Sequence, residues 1–329
     1  MEKECLFSII VPMYNGGKLL YRCLDSIFSQ QLNSDLYEVI CIDDCSTDSM
    51  SSRLIDSYLY KNRRPSNLYV VHHNENKRRG GACNTGVNLA KGLWIINIDC
   101  DDYFLSNSLQ TLTRKLQTFH HLDILVYNYC NTNYSRCIDY GETNEMNGDE
   151  YIQSKPVPWT SWSYAFKRKL LIENNIKYEE HVYFEDCDYV INAILQAKHI
   201  KFVDEVILFY NVYEGQTSTI NSARKVEDLF KLTTRLKNKG LALLAENPAS
   251  GQVVLNHQWY QYCCILKWYL WRLSPRDAYR LLKKYQPYDY ERGWLRIFPR
   301  IPLLYVILST LFKPFLLIAS KFYRRFIKK

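Results

Sequence analysis

The sequence lacks the short motifs that mark several common classes of nucleotide-binding and metal-binding protein. It contains no G-x-G-x-x-G after a predicted strand and no G-x-x-x-x-G-K-[ST], which disfavours a dinucleotide-dependent oxidoreductase and a P-loop ATPase. Its 11 cysteines include no C-x-x-C pair and no Cys/His ligand spacing, so a zinc site is not expected. What remains is a chain of 329 residues, 47% of them hydrophobic, which is enough for a large α/β domain and a smaller appendage.

The beginning of the chain has no secretory signal pattern. Glu2 and Glu4 are acidic, the apolar stretch after them ends at Pro12, and no A-x-A-like cleavage site is present. Together with the odd number of cysteines, this predicts reduced thiols and a cytoplasmic location.

The net charge of +8 is unevenly distributed along the chain. Residues 267–329 hold 15 Lys and Arg against 3 Asp and Glu, a net charge of +12, so residues 1–266 carry −4. Such a tail predicts an anionic partner, either nucleic acid or the phospholipid headgroups of a membrane. Nucleic acid is disfavoured, because the basic residues flank an apolar stretch and form no recognition motif.

Short apolar segments alternate with helical patterns over the first 130 residues, which predicts a wound, mostly parallel sheet flanked by helices. After residue 129 the pattern is less regular, and from Ser222 the chain is predicted to be helical almost to its end. The predicted strands are Leu6–Val11, Tyr37–Asp43, Leu68–Val71, Trp94–Ile98, Ile124–Tyr127, Trp159–Lys167, Lys201–Val203 and Ile207–Val212, and the predicted helices are Leu19–Phe28, Ser49–Tyr60, Gly81–Ala90, Ser106–His120 and Glu185–Gln196.

Two acidic clusters follow the second and fourth predicted strands, and ligands of wound sheets bind at the carboxyl ends of strands. Asp43 and Asp44 can accept hydrogen bonds from a base N–H and from ribose hydroxyls, although a helix-capping loop is the alternative. Asp99 and Asp101, spaced D-x-D and followed by Asp102, can share Mg²⁺ or Mn²⁺ with a diphosphate.

Two further segments carry candidate residues. Asn76–Gly86 is a Gly-rich, basic loop at the beginning of a predicted helix. Its backbone N–H groups could bind phosphate, and Arg78 or Arg79 could add positive charge. A flexible surface loop is the alternative. Glu185–Asp188 begins a helix and offers either a general base or acids that stabilise the helix dipole. The paired histidines at 72–73 and 120–121, together with His181, show no ligand spacing or partner, and structural or surface roles are expected for them.

These segments resemble the motifs of family 2 glycosyltransferases with the GT-A fold. The resemblance covers about Phe7 to Thr219 and rests on four segments in order, which are SIIVPMYNGGKLLYRCLDSIFSQ (Ser8–Gln30), CIDDCSTD (Cys41–Asp48), GGACNTGVNLAKGLWIINIDCDDYF (Gly80–Phe104) and FEDCDY (Phe184–Tyr189). It implies an α/β GT-A domain over residues 1–220 and a helical C-terminal region over residues 221–329.

The resemblance also implies roles for single residues. Asp186 would be the catalytic base of an inverting, single-displacement transfer, and Asp101 would ligate the Mn²⁺ or Mg²⁺ cofactor. Asp43 or Asp44 would contact the base, with Asp99 near the ribose and diphosphate. The remaining nucleotide-sugar contacts implied are Pro12, Tyr14, Asn15 and Asn84.

The sequence departs from the family pattern in two places. Cys45 stands where a Gly is usual, and Cys83 stands where an Arg is usual before Asn84, which puts that arginine's phosphate or ribose contact in question unless Arg78 or Arg79 compensates. No Q-x-x-R-W motif of chain-extending synthases is present, so transfer of one sugar per encounter is expected.

The function implied is transfer of a sugar from a nucleotide-sugar, a UDP-sugar in the first instance, to a glycan or polyprenyl-linked glycan in cell-surface polysaccharide synthesis. Two alternatives remain open. A nucleotidyltransferase also combines an α/β sheet with metal carboxylates, but Asn15–Lys18 only faintly matches its triphosphate loop. The other is a membrane-attached protein that binds nucleotide-sugar without turnover, which the Cys83 departure leaves open.

The apolar segment Ile301–Ser320 contains one charge, Lys313, followed by Pro314. Basic residues flank it on both sides, so spanning a bilayer would conflict with the positive-inside rule. A tail over about 295–329 lying in the cytoplasmic leaflet is therefore predicted, which makes the protein peripheral on the inner face of the cell membrane. A buried docking helix on the catalytic domain is the alternative.

Overall fold

The computed structural model describes residues 5–48, 51, 53, 55–58, 65–213, 216, 222–285 and 307. The chain divides into two compact units, the first ending at Val212 and the second beginning at Tyr213. The predicted membrane-associating tail, residues 295–329, lies outside the described residues except for Ile307. None of the described helices is long and apolar enough to cross a membrane.

The first unit is built on an eight-stranded mixed sheet in the order β3-β2-β1-β4-β7-β6-β8-β5. β1 pairs in parallel with β2 and β4, β2 with β3, and β6 with β8, whereas β7 is antiparallel to both β4 and β6, and β5 to β8. The strands are β1 Phe7–Met13, β2 Tyr37–Asp43, β3 Leu68–His72, β4 Trp94–Asn97, β5 Tyr103–Phe104, β6 Ile124–Asn131, β7 Tyr164–Lys167 and β8 Ile200–Tyr210.

The helices lie where apolar residues recur at helical spacing, and α1 buries Leu20, Cys23, Leu24 and Ile27 in the core. In the first unit the helices are α1 Leu19–Phe28, α2 Arg78–Leu89, α3 Ser108–Thr118, α4 Gly148–Ser154, α5 Arg168–Glu173 and α6 Glu185–Gln196. The described residues of the predicted helix 49–60, which are Ser51, Arg53 and 55–58, are helical.

Strand β1 and helix α2 pack closely, and this contact, near the end of α2, holds the helix against the sheet. A Cβ on Gly86 would lie 2.4 Å from Ile10 Cγ2, so only glycine permits the observed approach. β1 and β2 are buried along their whole length and are mainly apolar, apart from Ser8 in β1 and from Glu38 and Asp43 in β2.

Several sequence predictions are wrong in detail, among them the strand predicted at Trp159–Lys167, which begins only at Tyr164 after a 3₁₀ turn at Ser161–Ser163. β1 does not end at Pro12 but continues to Met13. The pairing of β1 with β4 ends at Ile10, so on the β4 side no strand residue requires a backbone N–H from Pro12. The strands predicted at 201–203 and 207–212 are one strand, β8, bent by register irregularities against β6. Ser106, the predicted N-cap of the helix that reaches towards His120, is not the cap: the helix begins at Ser108 and its N-cap is Asn107, in the left-handed conformation.

The second unit is helical where it is described, as predicted from Ser222. Ser222 and Asn247 cap α7 Ala223–Glu246 and α8 Pro248–Cys264 by accepting backbone N–H groups of the first turns. A π-helical turn at Ile265–Tyr269 and a 3₁₀ turn at Leu270–Arg272 precede α9 Pro275–Lys284.

Candidate active site

The carboxylates of Asp99, Asp101 and Asp102 gather at the carboxyl end of β4, with ligand oxygens within 4.8 Å of one another. Asp102 is fully buried; its Oδ1 accepts the Asn211 N–H at 2.8 Å, and its Oδ2 has no hydrogen-bond partner among the described residues. Burial, with Asp99 and Asp101 nearby, raises the pKa of Asp102 to about 9. Clustered carboxylate oxygens of this kind fit a hard divalent cation such as Mg²⁺ or Mn²⁺.

The guanidinium of Arg79, from the first turn of α2, joins this cluster to the beginning of α6. Its Nε donates to Asp99 Oδ1 at 2.5 Å and its Nη1 to Asp186 Oδ1 at 2.7 Å. A longer contact of 3.5 Å reaches Glu185, and Nη2 donates to the buried Ser161 hydroxyl at 3.3 Å. One arginine therefore holds the predicted donor-site carboxylate and the predicted base in the same cleft.

Glu185 and Asp186 occupy the first turn of α6, where the helix dipole favours negative charge. Burial raises the pKa of both carboxyls, and for Glu185, with Asp186 beside it, the value is about 7. Arg79 and the Ser161 hydroxyl act against this rise at Asp186. Gly80 lets α2 pack closely against the segment that precedes α6, since a Cβ at Gly80 would lie 2.5 Å from the Glu179 carbonyl oxygen.

Asp43 and Asp44 are buried at the end of β2 and are each paired with a histidine from the end of β3. His72 Nδ1 lies 3.0 Å from Asp43 Oδ2, and His73 Nδ1 lies 2.8 Å from Asp44 Oδ1. The expectation that these histidines have no partner is wrong, because the parallel pairing of β2 with β3 places Asp43 opposite His72. Asp44 Oδ2 is buried without a hydrogen-bond partner among the described residues.

The loop after β1 contacts the loop after β2 through Asn15. Asn15 Oδ1 accepts the N–H groups of Thr47 and Asp48 at 2.9 and 3.1 Å, so this amide organises the loop that follows the acidic pair. Tyr14 is 48% exposed beside it, and Pro12 lies in β1 opposite Ile42. Cys45 has φ of 60°, which explains why the family usually has Gly at this position.

Asn84 is engaged away from the carboxylate cluster. Its side chain accepts the Tyr178 N–H at 2.9 Å and donates to the Tyr178 carbonyl at 3.0 Å, which anchors the segment before α6. Cys83 is buried one helical turn after Arg79, and burial raises its thiol pKa well above the ordinary value, so it is neutral. Arg79 therefore places a guanidinium in the cleft one turn before the position where the family usually has one.

The motif residues converge in part. Asp99, Asp101 and Asp186 share one cleft with Arg79, while Asp43 and Asp44 lie at the end of the next strand but one in the sheet. Sequence reasoning missed Ser161, for which no local signal exists, and it missed the pairing of His72 and His73 with the acidic pair. That pairing had a signal, since both segments end neighbouring predicted strands.

Comparison with known proteins identifies the family of this chain. Residues 8–184, more than half of the chain, match the family model described as glycosyl transferase family 2. Poly(ribitol-phosphate) beta-glucosyltransferase of Bacillus spizizenii is 32% identical over 211 residues, which are 62% of this chain and 32% of that protein. EpsJ of Bacillus subtilis, an uncharacterized glycosyltransferase, is 30% identical over 219 residues, which are 62% of this chain and 60% of EpsJ. The match thus spans about a third of the first relative and 60% of the second.

Among solved structures, residues 1–349 of S. aureus TarS in complex with UDP-GlcNAc align with a TM-score of 0.66 at 20% identity, over 92% of this chain and 89% of that one. Mannosyltransferase PcManGT from Pyrobaculum calidifontis, in complex with GDP-Man and Mn²⁺, aligns with a TM-score of 0.56 at 16% identity, over 94% and 87%. The structural likeness confirms the predicted GT-A fold. The chain belongs to glycosyl transferase family 2, a family of sugar-transferring enzymes.

Proposed function

We propose that this protein is a metal-dependent, inverting glycosyltransferase that moves one sugar from a nucleotide-sugar, a UDP-sugar, to a glycan or polyprenyl-linked glycan of the cell surface. The observation that carries the proposal is the Arg79 bridge. It holds Asp186 and Asp99 within 2.7 and 2.5 Å of one guanidinium, so a base and a diphosphate-facing carboxylate border the same cleft.

In this proposal Asp186 acts as the general base. Its carboxylate accepts the proton of the acceptor hydroxyl while the acceptor oxygen forms a bond to the anomeric carbon of the donor sugar. The bond from that carbon to the diphosphate oxygen breaks, and its electron pair leaves with the nucleoside diphosphate. Attack opposite the leaving group inverts the configuration at the anomeric carbon. The raised pKa of Asp186 makes it a stronger base than an exposed carboxylate.

Asp99, Asp101 and Asp102 are the residues that would hold the divalent ion, with Asp101 as the predicted direct ligand. Their proximity fits such a group, as does Asp102 Oδ2, which has no hydrogen-bond partner in the described part of the chain. A bound Mn²⁺ or Mg²⁺ would neutralise the charge that develops on the leaving diphosphate. Arg79 provides a fixed positive charge in the same cleft, which compensates for the neutral Cys83.

Asp43 and Asp44 are proposed to bind the base of the nucleotide, with Pro12, Tyr14 and Asn15 forming the adjoining loop. Exposed Tyr14 offers a ring for stacking, and Asn15 fixes the backbone of the loop after Asp44. Asn84 is proposed to act indirectly, because its amide anchors the segment at Tyr178. UDP is favoured by the names of related proteins, since TarS is described in complex with UDP and with UDP-GlcNAc.

The acceptor class is proposed from the relatives and from the tail. The relatives that match include poly(ribitol-phosphate) glucosyl- and N-acetylglucosaminyltransferases, enzymes named for polymeric acceptors. The basic, apolar tail would hold this protein on the inner face of the cell membrane, next to a lipid-linked acceptor.

The decisive experiment measures the products formed from a panel of nucleotide-sugars with Mn²⁺. Nucleoside diphosphate release with an inverted product supports the proposal. Pyrophosphate release would instead indicate a nucleotidyltransferase, and binding without turnover would indicate a non-enzymatic nucleotide-sugar-binding protein. The donor nucleotide is identified beforehand by measuring the Tm of the protein with UDP, GDP, CMP and TDP, each with and without Mn²⁺. A ligand at 100 times its Kd raises the free energy of unfolding by about 2.7 kcal/mol, so the nucleotide that binds should raise the Tm.

The assignment of the base is tested by Asp186→Asn. We expect turnover to fall roughly 10²–10⁴-fold while nucleotide binding is nearly unchanged, because the amide cannot accept the proton. Asp139→Asn, at an exposed position outside the cleft, is the matched control and should retain full activity. Normal turnover in the Asp186 variant would remove that residue from the role.

A further inference from the structure

A second group of potential metal ligands lies at the amino ends of the strands, whereas the candidate active site lies at the carboxyl ends. It consists of His121, Glu145 and His199, whose ligand atoms lie within 4.8 Å of one another. His121 precedes β6, His199 precedes β8, and Glu145 lies next to Met146, which pairs with Ile200 of β8. β6 runs parallel to β4, because β7 is antiparallel to both. His121 therefore lies at the amino ends of these parallel strands, whereas Asp99 follows the carboxyl end of β4.

The three side chains lie close together, with Glu145 hydrogen-bonded to both histidines. His121 Nε2 lies 2.6 Å from Glu145 Oε2, and His199 Nδ1 lies 2.6 Å from Glu145 Oε1. The two imidazole rings meet edge to face with centroids 5.3 Å apart. Each side chain is between 31% and 45% exposed, so an ion can reach the group and water can complete its coordination.

The backbone that carries these residues is fixed by hydrogen bonds between the three segments. The His199 carbonyl accepts the Asp123 N–H at 2.9 Å, and the Asp123 carboxylate accepts the Lys198 and His199 N–H groups. Met146 and Ile200 exchange both backbone hydrogen bonds, at 2.9 and 2.7 Å. The ligand set is therefore preorganised by strand pairing and does not depend on side-chain contacts alone.

We propose that His121, Glu145 and His199 form a binding site for a divalent transition-metal ion of the zinc and nickel class. Two imidazoles and one carboxylate suit these ions, whereas Mg²⁺ and Ca²⁺ prefer all-oxygen sites such as the Asp99 cluster. A bound ion would join the beginnings of β6 and β8 to the segment at residue 145, so its role is structural. The site is independent of the proposed transfer reaction.

The test uses the full-length, tag-free protein equilibrated with Zn²⁺ and then measured for bound metal by equilibrium dialysis. Wild-type protein is expected to bind one equivalent at this site, and both His199→Gln and Glu145→Gln should bind it at least roughly tenfold more weakly, because losing a ligand should cost no less than losing an outer-shell partner. His120→Gln is the matched control, because this neighbouring histidine contributes no ligand and its variant should keep the ion. A double Asp99→Asn, Asp101→Asn variant should also keep it, which separates this ion from one in the candidate active site.

A second readout is thermal stability, which does not depend on activity. Saturating Zn²⁺ should raise the Tm of the wild type and the His120 variant by roughly 5 °C or more, and should leave the His199 and Glu145 variants unchanged. The metal-free variants should melt near the metal-free wild type, since the three side chains are substantially exposed. Equal Zn²⁺ stoichiometry and equal affinity in the wild type and the His199 variant would overturn the proposal.

Discussion

Arg79 and Asp186 come from helices α2 and α6, more than a hundred residues apart in the chain, and Arg79 Nη1 lies 2.7 Å from Asp186 Oδ1. Burial raises the pKa of Asp186, and Arg79 is the strongest influence that opposes the rise. The proximity of the cation thus determines the pH range in which the proposed base is ionised.

Replacing Arg79 with Met should raise the pKa of Asp186 further and lower turnover at pH 7 by roughly 10–100-fold. The acid limb of the pH dependence of kcat should move to higher pH, and Arg79→Lys should show a smaller displacement. Arg78→Met is the control, because the Arg78 guanidinium stacks on the Tyr183 ring at 4.0 Å. An unchanged acid limb in the Arg79→Met variant would show that the pair does not control the base.

Glu185 couples the stability of the candidate active site to pH. Its pKa is about 7 in the folded protein against an ordinary value of 4.5, chiefly because of burial. Between these pH values the folded state retains a proton that the unfolded chain has lost, so this group's stabilising contribution is full below 4.5 and is lost as pH rises through 7.

Glu185→Gln should therefore become more stable relative to the wild type as pH rises from 5 to 8, because glutamine does not titrate. Denaturant unfolding midpoints of both proteins over this range provide the measurement. Glu173→Gln, in an exposed i,i+4 pair with Lys169, should show no such trend. A constant difference between the Glu185 variant and the wild type would contradict the raised pKa.

Cys45 is a non-glycine residue in the left-handed region, with φ of 60°. A side chain there costs roughly 1–2 kcal/mol, partly offset by the lower chain entropy of a non-glycine residue when unfolded. Cys45→Gly should therefore be more stable than Cys45→Ala by about 0.5–1 kcal/mol, measured by urea unfolding. Alanine is the proper reference, since it removes the thiol but retains the Cβ. A less stable glycine variant would indicate that the left-handed conformation is not strained.

The tail should bind anionic membranes through its basic residues. The full chain should cosediment with vesicles containing anionic phospholipid and bind less to zwitterionic vesicles, because juxtamembrane Lys and Arg contribute about 1 kcal/mol each. Replacing Arg324, Arg325, Lys328 and Lys329 with Gln should weaken this binding at least tenfold. Equal binding of the variant and the wild type would favour the alternative of a docking helix.

Much of the first half of the sheet is predictable from sequence, because the buried strands there are short, mainly apolar segments rich in β-branched residues. Strand β2 at Tyr37–Asp43 and helix α6 at Glu185–Gln196 have the predicted bounds. The short strand β5 was not predicted, since Tyr103–Phe104 is too short to show a period and is defined only by its pairing with β8.

The acidic residues that follow the second and fourth strands and begin α6 are predictable from sequence, since a strand end and a helix start are local patterns. The contacts of Arg79, rather than Arg78, with Asp99 and Asp186 become visible only in the folded chain. The same holds for the proximity of His121, Glu145 and His199. Periodicity specifies the elements, but contacts between distant positions depend on strand order and on the rotation of each helix, which packing of the whole sheet imposes.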